Sequence, residues 1–250
     1  MASRIFMAAA ILGVVFFKDG YKKYLYGFFA GGLSNSLMKK INHISLPVSF
    51  QMGIEAGAFS FSAIMSGWLG ALQLASYQVM MTLGTLGFLF YYSFGAGMSI
   101  RIAQYAGKDD LRGIGLSSKS GVHILLLMAT LSSLAFYLFG TPLISMFSPD
   151  EKVRVMALGL IVPLILYQYA DAMQICFANA LRGVSRVVSM MWIAFFSYIV
   201  VGIPVGYVLG FIFSLGIDGI FLAFSVGLFT AMVLYVCQFR KVLRGEVQCR

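Results

Sequence analysis

The sequence predicts an all-α polytopic membrane protein, a six-helix transmembrane bundle preceded by a truncated helix. Three observations carry the prediction. Of the 250 residues, 60% are hydrophobic and 11% charged, with a mean hydropathy of +0.89. That charge content is about half that of an ordinary soluble domain. The apolar residues also fall in runs of bilayer length separated by short charged segments, rather than in the alternation of a soluble core. Finally, the basic residues gather in every second gap between those runs.

Apolar runs occupy 5–17, 44–69, 76–100, 121–147, 153–178, 187–214 and 219–239. The last six can span a hydrocarbon core of ~30 Å, which takes about 20 helical residues. The run 5–17 is shorter, so residues 1–17 read as the truncated end of a transmembrane helix. A signal peptide is the competing reading, but no small-residue cleavage site follows Phe17 and the next segment is strongly basic. Residues 18–43 read as a cytoplasmic linker, 44–239 as the six-helix lobe and 240–250 as a cytoplasmic tail. The linker carries five lysines among Tyr21, Tyr24, Tyr26, Phe28 and Phe29. It either lies partly in the headgroup layer, which suits aromatic rings and lysines, or is simply solvated.

The net charge of +9 reports topology rather than a nucleic-acid partner. Taken alternately, and leaving aside Arg4 before the first run, one set of gaps together with the C-terminal tail holds fifteen Lys and Arg, and the other holds two, Lys152 and Arg154. The positive-inside rule places the first set in the cytoplasm of a multi-pass protein of the plasma membrane, in a bacterium the inner membrane. Cys176, Cys237 and Cys249 are far apart and form no metal or disulfide pattern. His43 and His123 fall at cytoplasmic helix ends and read as interfacial residues.

Breakers mark the extracytoplasmic segment 140–152, which contains Pro142, Pro149 and Asp150. Others lie within spans: Pro163 in the fifth long run, and Pro204 with Gly202, Gly206 and Gly210 in the sixth. Such residues are tolerated where neighbouring helices satisfy the freed backbone groups, and they permit bending.

Seven of the nine acidic residues fall in loops or at helix ends; Glu55 and Asp171 do not. Each lies about eleven residues from its cytoplasmic end, roughly 16 Å at about 1.5 Å rise per residue, so the two carboxylates reach similar depth near the membrane middle. An ionisable group there costs at least ~2.5 to 3.5 kcal/mol. No basic residue lies deep in any complete span, so the acids must be protonated, bind a cation or face water. Exchange between those states is what an ion-coupled transporter needs; nothing points to an enzyme or to a resident cofactor.

The neighbouring residues are polar on matching faces. Gln51, Glu55, Phe59 and Ser62 share one face of their span, with Gly53 and Gly57 opposite, a pair suited to close helix packing. Tyr167, Asp171 and Gln174 share a face on a second span, and Gln78, Thr82 and Thr85 one on a third. Gln51, Gln78, Thr82, Thr85 and Gln174 are therefore expected to line a wet cavity, although hydroxyls and amides also serve as interhelical hydrogen bonds.

Four stretches resemble the multidrug and toxic compound extrusion (MATE) family. They are Leu46-Pro47 with Gln51 and Glu55; Leu69-Gly70 followed by Leu74-Ala75-Ser76-Tyr77-Gln78; Gly95-Ala96-Gly97-Met98-Ser99-Ile100-Arg101; and Asp171 with Ala180-Leu181-Arg182-Gly183. Their order and spacing match the C-terminal lobe, helices seven to twelve. The resemblance implies a twelve-helix antiporter that exports small organic cations and drugs in exchange for Na⁺ or H⁺. It also implies that Glu55, Tyr167 and Asp171 contribute to a cation site, with Glu55 and Asp171 as Na⁺ ligands if coupling is to sodium. The partners expected are the exported cation, membrane lipids and an N-terminal lobe missing from this sequence, so Met1 reads as a fragment boundary or an internal start.

Two rivals are carried with this reading. One is a lipid-linked oligosaccharide flippase of the same superfamily, expected to need basic cavity residues for an anionic headgroup. The other is a fragment that packs on a partner without transporting. An intramembrane aspartyl protease fits poorly, since one acid is Glu55 and Tyr169-Ala170 precedes Asp171.

Overall fold

The computed structural model describes residues 2–17 and 34–245. Most of the expected linker, residues 18–33, and the tail residues 246–250 lie outside the described residues. Residues 1–43 and 44–250 form separate units. In the first, α1 (Ala2–Phe17) is an apolar helix of 16 residues, too short to span.

The described residues contain helices and turns but no strand. The six expected spans appear as α2 (Asn35–Leu69), α3 (Ala71–Ala106), α4 (Leu111–Phe147), the pair α5 (Glu151–Gly159) and α6 (Ile161–Gly183), α7 (Val187–Ile212) and α8 (Gly216–Leu243). Of these, α3, α4, α6, α7 and α8 are long and apolar enough to cross a membrane. α2 is as long, at 35 residues, and carries the polar face of Gln51 and Glu55. It begins nine residues before Ile44, so residues 35–43, assigned to the linker from sequence, are helical. Large apolar side chains such as Phe90, Phe94, Leu138 and Trp192 stand exposed around the bundle, as a hydrocarbon surrounding permits.

The breakers act unevenly. Pro163 has no N–H for the carbonyl of Gly159, and the chain breaks at Leu160 into α5 and α6 instead of forming one rod. Pro142 leaves α4 continuous to Phe147 with a kink at Phe139 (φ −113°, ψ 17°), so the extracytoplasmic turn is only 148–150. Asp150 caps α5, its carboxylate accepting from the Lys152 N–H at 2.9 Å. Pro204 lies between two π-helical stretches of α7, Phe195–Gly202 and Val208–Ile212, which absorb its missing donor by widening the turn.

Helix α6 is the centre of the lobe, buried on most of its surface from Pro163 to Gly183. A stripe of small residues on α3 lets it approach. Gly84 faces Leu164 and Tyr167, Gly87 faces Gln168, Gly95 faces Ile175 and Asn179, and Gly183 of α6 abuts Ser99 and Ile102. Residue numbers rise together along this seam, so α3 and α6 run parallel. Their ends near Ala106 and Gly183 therefore lie on one side of the bundle, the side to which the charge imbalance assigns the cytoplasm.

Candidate functional site

Glu55 from α2 and Asp171 from α6 line one cavity of about 330 Å³, together with Tyr167, Thr85, Phe59 and Phe88. Asp171 is 1% exposed, and one of its carboxylate oxygens accepts a hydrogen bond from the Tyr91 hydroxyl on α3. Tyr91 stands between Gly87 and Gly95 on the glycine stripe, so the packing that brings α3 against α6 also aims its hydroxyl at the acid. The stripe was visible in the sequence as the spacing Gly84, Gly87, Tyr91, Gly95, and it is the signal that could have identified Tyr91.

Glu55 is half-buried and held from two sides. Gln51 Nε2, one turn earlier, donates to Oε2 at 2.9 Å, and the Tyr198 hydroxyl of the first π-helical stretch donates to Oε1 at 3.4 Å. Tyr198 was not anticipated: its place follows from the π-helical register of α7, which the sequence does not announce. Phe59 stacks on Phe224 at 4.7 Å and meets Tyr167 edge-on at 6.4 Å, forming an aromatic wall beside both acids. The Tyr77 hydroxyl, donating to the Phe59 carbonyl at 3.2 Å, ties that wall to α3.

Glu55 also borders a second cavity of about 220 Å³ lined by Gln51, Gln174, Asn179 and Arg182. Arg182 corrects the expectation that no basic residue serves this region. Although it sits at the cytoplasmic end of α6, its long side chain reaches back: Nη2 donates to Gln51 Oε1 and Nη1 to Asn179 Oδ1, both at 3.4 Å. The chain Arg182, Gln51, Glu55, Tyr198 thus links α6, α2 and α7. Gln174 is 1% exposed, and its Oε1 has no partner within the protein, an acceptor left for water or a cation.

The remaining predicted residues divide. Gln51 and Gln174 line the smaller cavity and Tyr167 and Thr85 the larger. Gln78 and Thr82 line neither cavity within this lobe; they lie exposed on the same stripe of α3 as Thr85, and Thr82 returns its hydroxyl to the Gln78 carbonyl and Thr85 to that of Met81, both at 2.8 Å. Gly53 and Gly57 do not mediate close packing within the described residues: a Cβ at either position would meet nothing within 4 Å, and both line an open apolar cavity of about 530 Å³ with Phe50 and Ile199. Cys176 is buried in the core and Cys237 exposed, too remote in setting to act together.

The donors gathered around Glu55 and Asp171 are oxygens of carboxylates, phenols and an amide, suited to a hard cation or a proton rather than to a thiophilic metal. Among the described residues no group of three or more His, Cys, Asp and Glu forms.

A bundle of membrane-crossing helices with an acid pair at its centre defines a polytopic membrane protein with an intramembrane ionisable site. Residues 47–208 match the MatE family model, and the chain belongs to that family. Among curated proteins it is 31% identical over 199 residues to the multidrug resistance protein NorM of Aliivibrio fischeri, covering 78% of this chain and 43% of NorM. It is 28% identical over 202 residues to the multidrug resistance protein MdtK of Photorhabdus laumondii, covering 79% of this chain and 44% of MdtK. The chain therefore spans about half the length of the curated relatives it matches. Among solved structures, the eukaryotic MATE transporter AtDTX14 superposes with a TM-score of 0.80 at 20% identity, over 96% of this chain and 55% of that one. An outward-facing multidrug resistance MATE transporter superposes with a TM-score of 0.80 at 13% identity, over 86% of this chain and 49% of that one. Both likenesses establish the fold.

Proposed function

We propose that this chain is the C-terminal lobe of an antiporter that exports small organic cations and drugs across a bacterial inner membrane in exchange for Na⁺ or H⁺. The observation that carries the reading is the shared cavity of Glu55 and Asp171, walled by Tyr167 and closed on one side by the Phe59 and Phe224 pair. An incoming cation neutralises the two carboxylates and stabilises one packing of α2 against α6 and α7. Release of that cation to the cytoplasm leaves charged acids that attract a cationic amphipathic substrate, so that ion and cargo alternate. The relatives named for multidrug resistance support the substrate class. The N-terminal lobe supplies the facing wall of the translocation path.

The test is efflux of a fluorescent organic cation from proteoliposomes containing the full-length transporter, with Na⁺ and pH gradients varied separately. Glu55→Gln and Asp171→Asn are expected to insert normally and to lose at least roughly tenfold of ion-driven efflux, the scale of one lost charged interaction. Unimpaired coupled efflux by either variant would overturn the assignment.

One observation favours a second reading. Arg182 supplies the basic cavity residue that a flippase for an anionic lipid-linked oligosaccharide requires. Its guanidinium is already engaged by Gln51 and Asn179, which suits a positioning part in the antiporter equally. Transport of a lipid-linked sugar pyrophosphate, with no efflux of organic cations, would favour the flippase.

A further inference from the structure

A fourth cavity, of about 530 Å³, lies between α3 and α4, away from the acid pair. Its lining grades along the helices, apart from Leu116 near the turn and Ser93 at depth, whose hydroxyl returns to the Leu89 carbonyl at 2.8 Å. Arg101, Tyr105 and Ser117 stand five, one and six residues from the α3–α4 turn, within roughly 9 Å of the helix ends. Phe94, Ile124 and Leu125 stand twelve to fourteen residues away, about 18 to 21 Å deeper along the helices. The floor is closed by Met98 packed against Gly121, where a Cβ would collide with the thioether sulfur. Polar at the level of the headgroups and apolar at the level of the acyl chains, the groove has the profile of a phospholipid.

Charge decides which phospholipid. The guanidinium of Arg101 lies over the Tyr105 ring at 5.4 Å, which holds an exposed cation at the groove mouth, where a phosphate would meet it. Lys108, Arg112 and Lys119 add positive charge on the same turn and the first turns of α4. The two nearby acids are Asp109, at the turn, and Asp110, whose carboxylate is occupied in capping α4 through the Gly113 N–H at 2.8 Å. No acidic residue lines the groove itself. Basic pockets between transmembrane helices on the cytoplasmic side take anionic headgroups.

We propose that the α3–α4 groove binds an anionic phospholipid of the cytoplasmic leaflet, with Arg101 gripping the headgroup phosphate and an acyl chain lying along Gly97, Phe94 and Ile124. The site gives a purpose to Gly97 and Arg101, which the acid pair leaves unused. Gly97 opens the channel for the chain: a Cβ there meets nothing within 4 Å, so a larger side chain fills the groove without disturbing the core.

The experiment is native mass spectrometry of the purified full-length protein, delipidated and then titrated with phosphatidylglycerol or phosphatidylcholine. The expected result is at least roughly tenfold tighter retention of phosphatidylglycerol, whose phosphate charge is not offset by a choline ammonium, and in Arg101→Ala the two lipids are retained alike, in keeping with loss of one charge-assisted contact. Arg112→Ala, on the same turn but outside the groove, leaves the preference intact, and Gly97→Leu lowers retention of both lipids. Equal retention of the two lipids by the unmodified protein overturns the proposal. So does an equal loss in Arg101→Ala and Arg112→Ala, which assigns the preference to diffuse surface charge, or retention unchanged by Gly97→Leu.

Discussion

Asp171 and Glu55 stand on the wall of one cavity but are held in different ways. Asp171 belongs to α6, the most enclosed helix of the lobe, and takes a hydrogen bond from Tyr91 across a close, glycine-lined helix seam. Glu55 belongs to α2, is half-buried, leans on Gln51 of its own helix and reaches Tyr198 at 3.4 Å. Behind it, Gly53 and Gly57 face open space. One acid is fixed by the core and the other stands on a helix less enclosed within this lobe, a division suited to the ion-responsive site proposed above.

Substitutions that treat the two walls alike sharpen or break this contrast. The largest effect is expected for Tyr91→Phe, which strips a buried carboxylate of one hydrogen-bond donor. A hydrogen bond to such a group is worth about 1.5 to 3 kcal/mol, read as a lowered thermal unfolding midpoint of the purified protein. Gly183→Ala, on the same seam, drives a Cβ to 2.8 Å from the Ser99 carbonyl oxygen. A loss of about 1 to 3 kcal/mol follows from overpacking against backbone, measurable in the same melt. On the other wall, Tyr198→Phe removes a longer and partly exposed contact, and the expected cost is below ~1 kcal/mol. Gly57→Ala enters open space and is expected to leave lobe stability within about ±0.5 kcal/mol. If Gly57→Ala destabilised the lobe as much as Gly183→Ala, the contrast between the two helices would be gone.

Much of this was legible in the sequence for physical reasons that can be named. Apolar run length fixed the number of rods because bilayer thickness leaves little choice. That Glu55 and Asp171 could reach one cavity followed from helical rise, and their i, i+4 neighbours Gln51 and Tyr167 from helical period. What depended on lateral packing was hidden. Tyr91 joins the site only because glycines admit α6 to that face of α3, and Tyr198 only because π-helical turns rotate α7. Arg182 was assigned to a helix end, which its backbone position justifies, yet a side chain of that length returns to the site it appeared to have left. Thr82 and Thr85 bond carbonyls of their own helix, so their polarity does not by itself show which way their stripe faces. Pro142 and Pro163 had the same chemistry and different outcomes, a kink and a break, since neighbouring contacts decide whether an interrupted helix continues.

The central claim is that Glu55 and Asp171 work as one ion-responsive unit. Its most direct test is a double-variant cycle in the full-length transporter: ion-driven efflux for Glu55→Gln, Asp171→Asn and the pair together. Groups that act as a unit lose function non-additively, so the double variant is expected to lose about as much as either single one. Losses that multiply would mean that the two carboxylates act separately and would contradict the account.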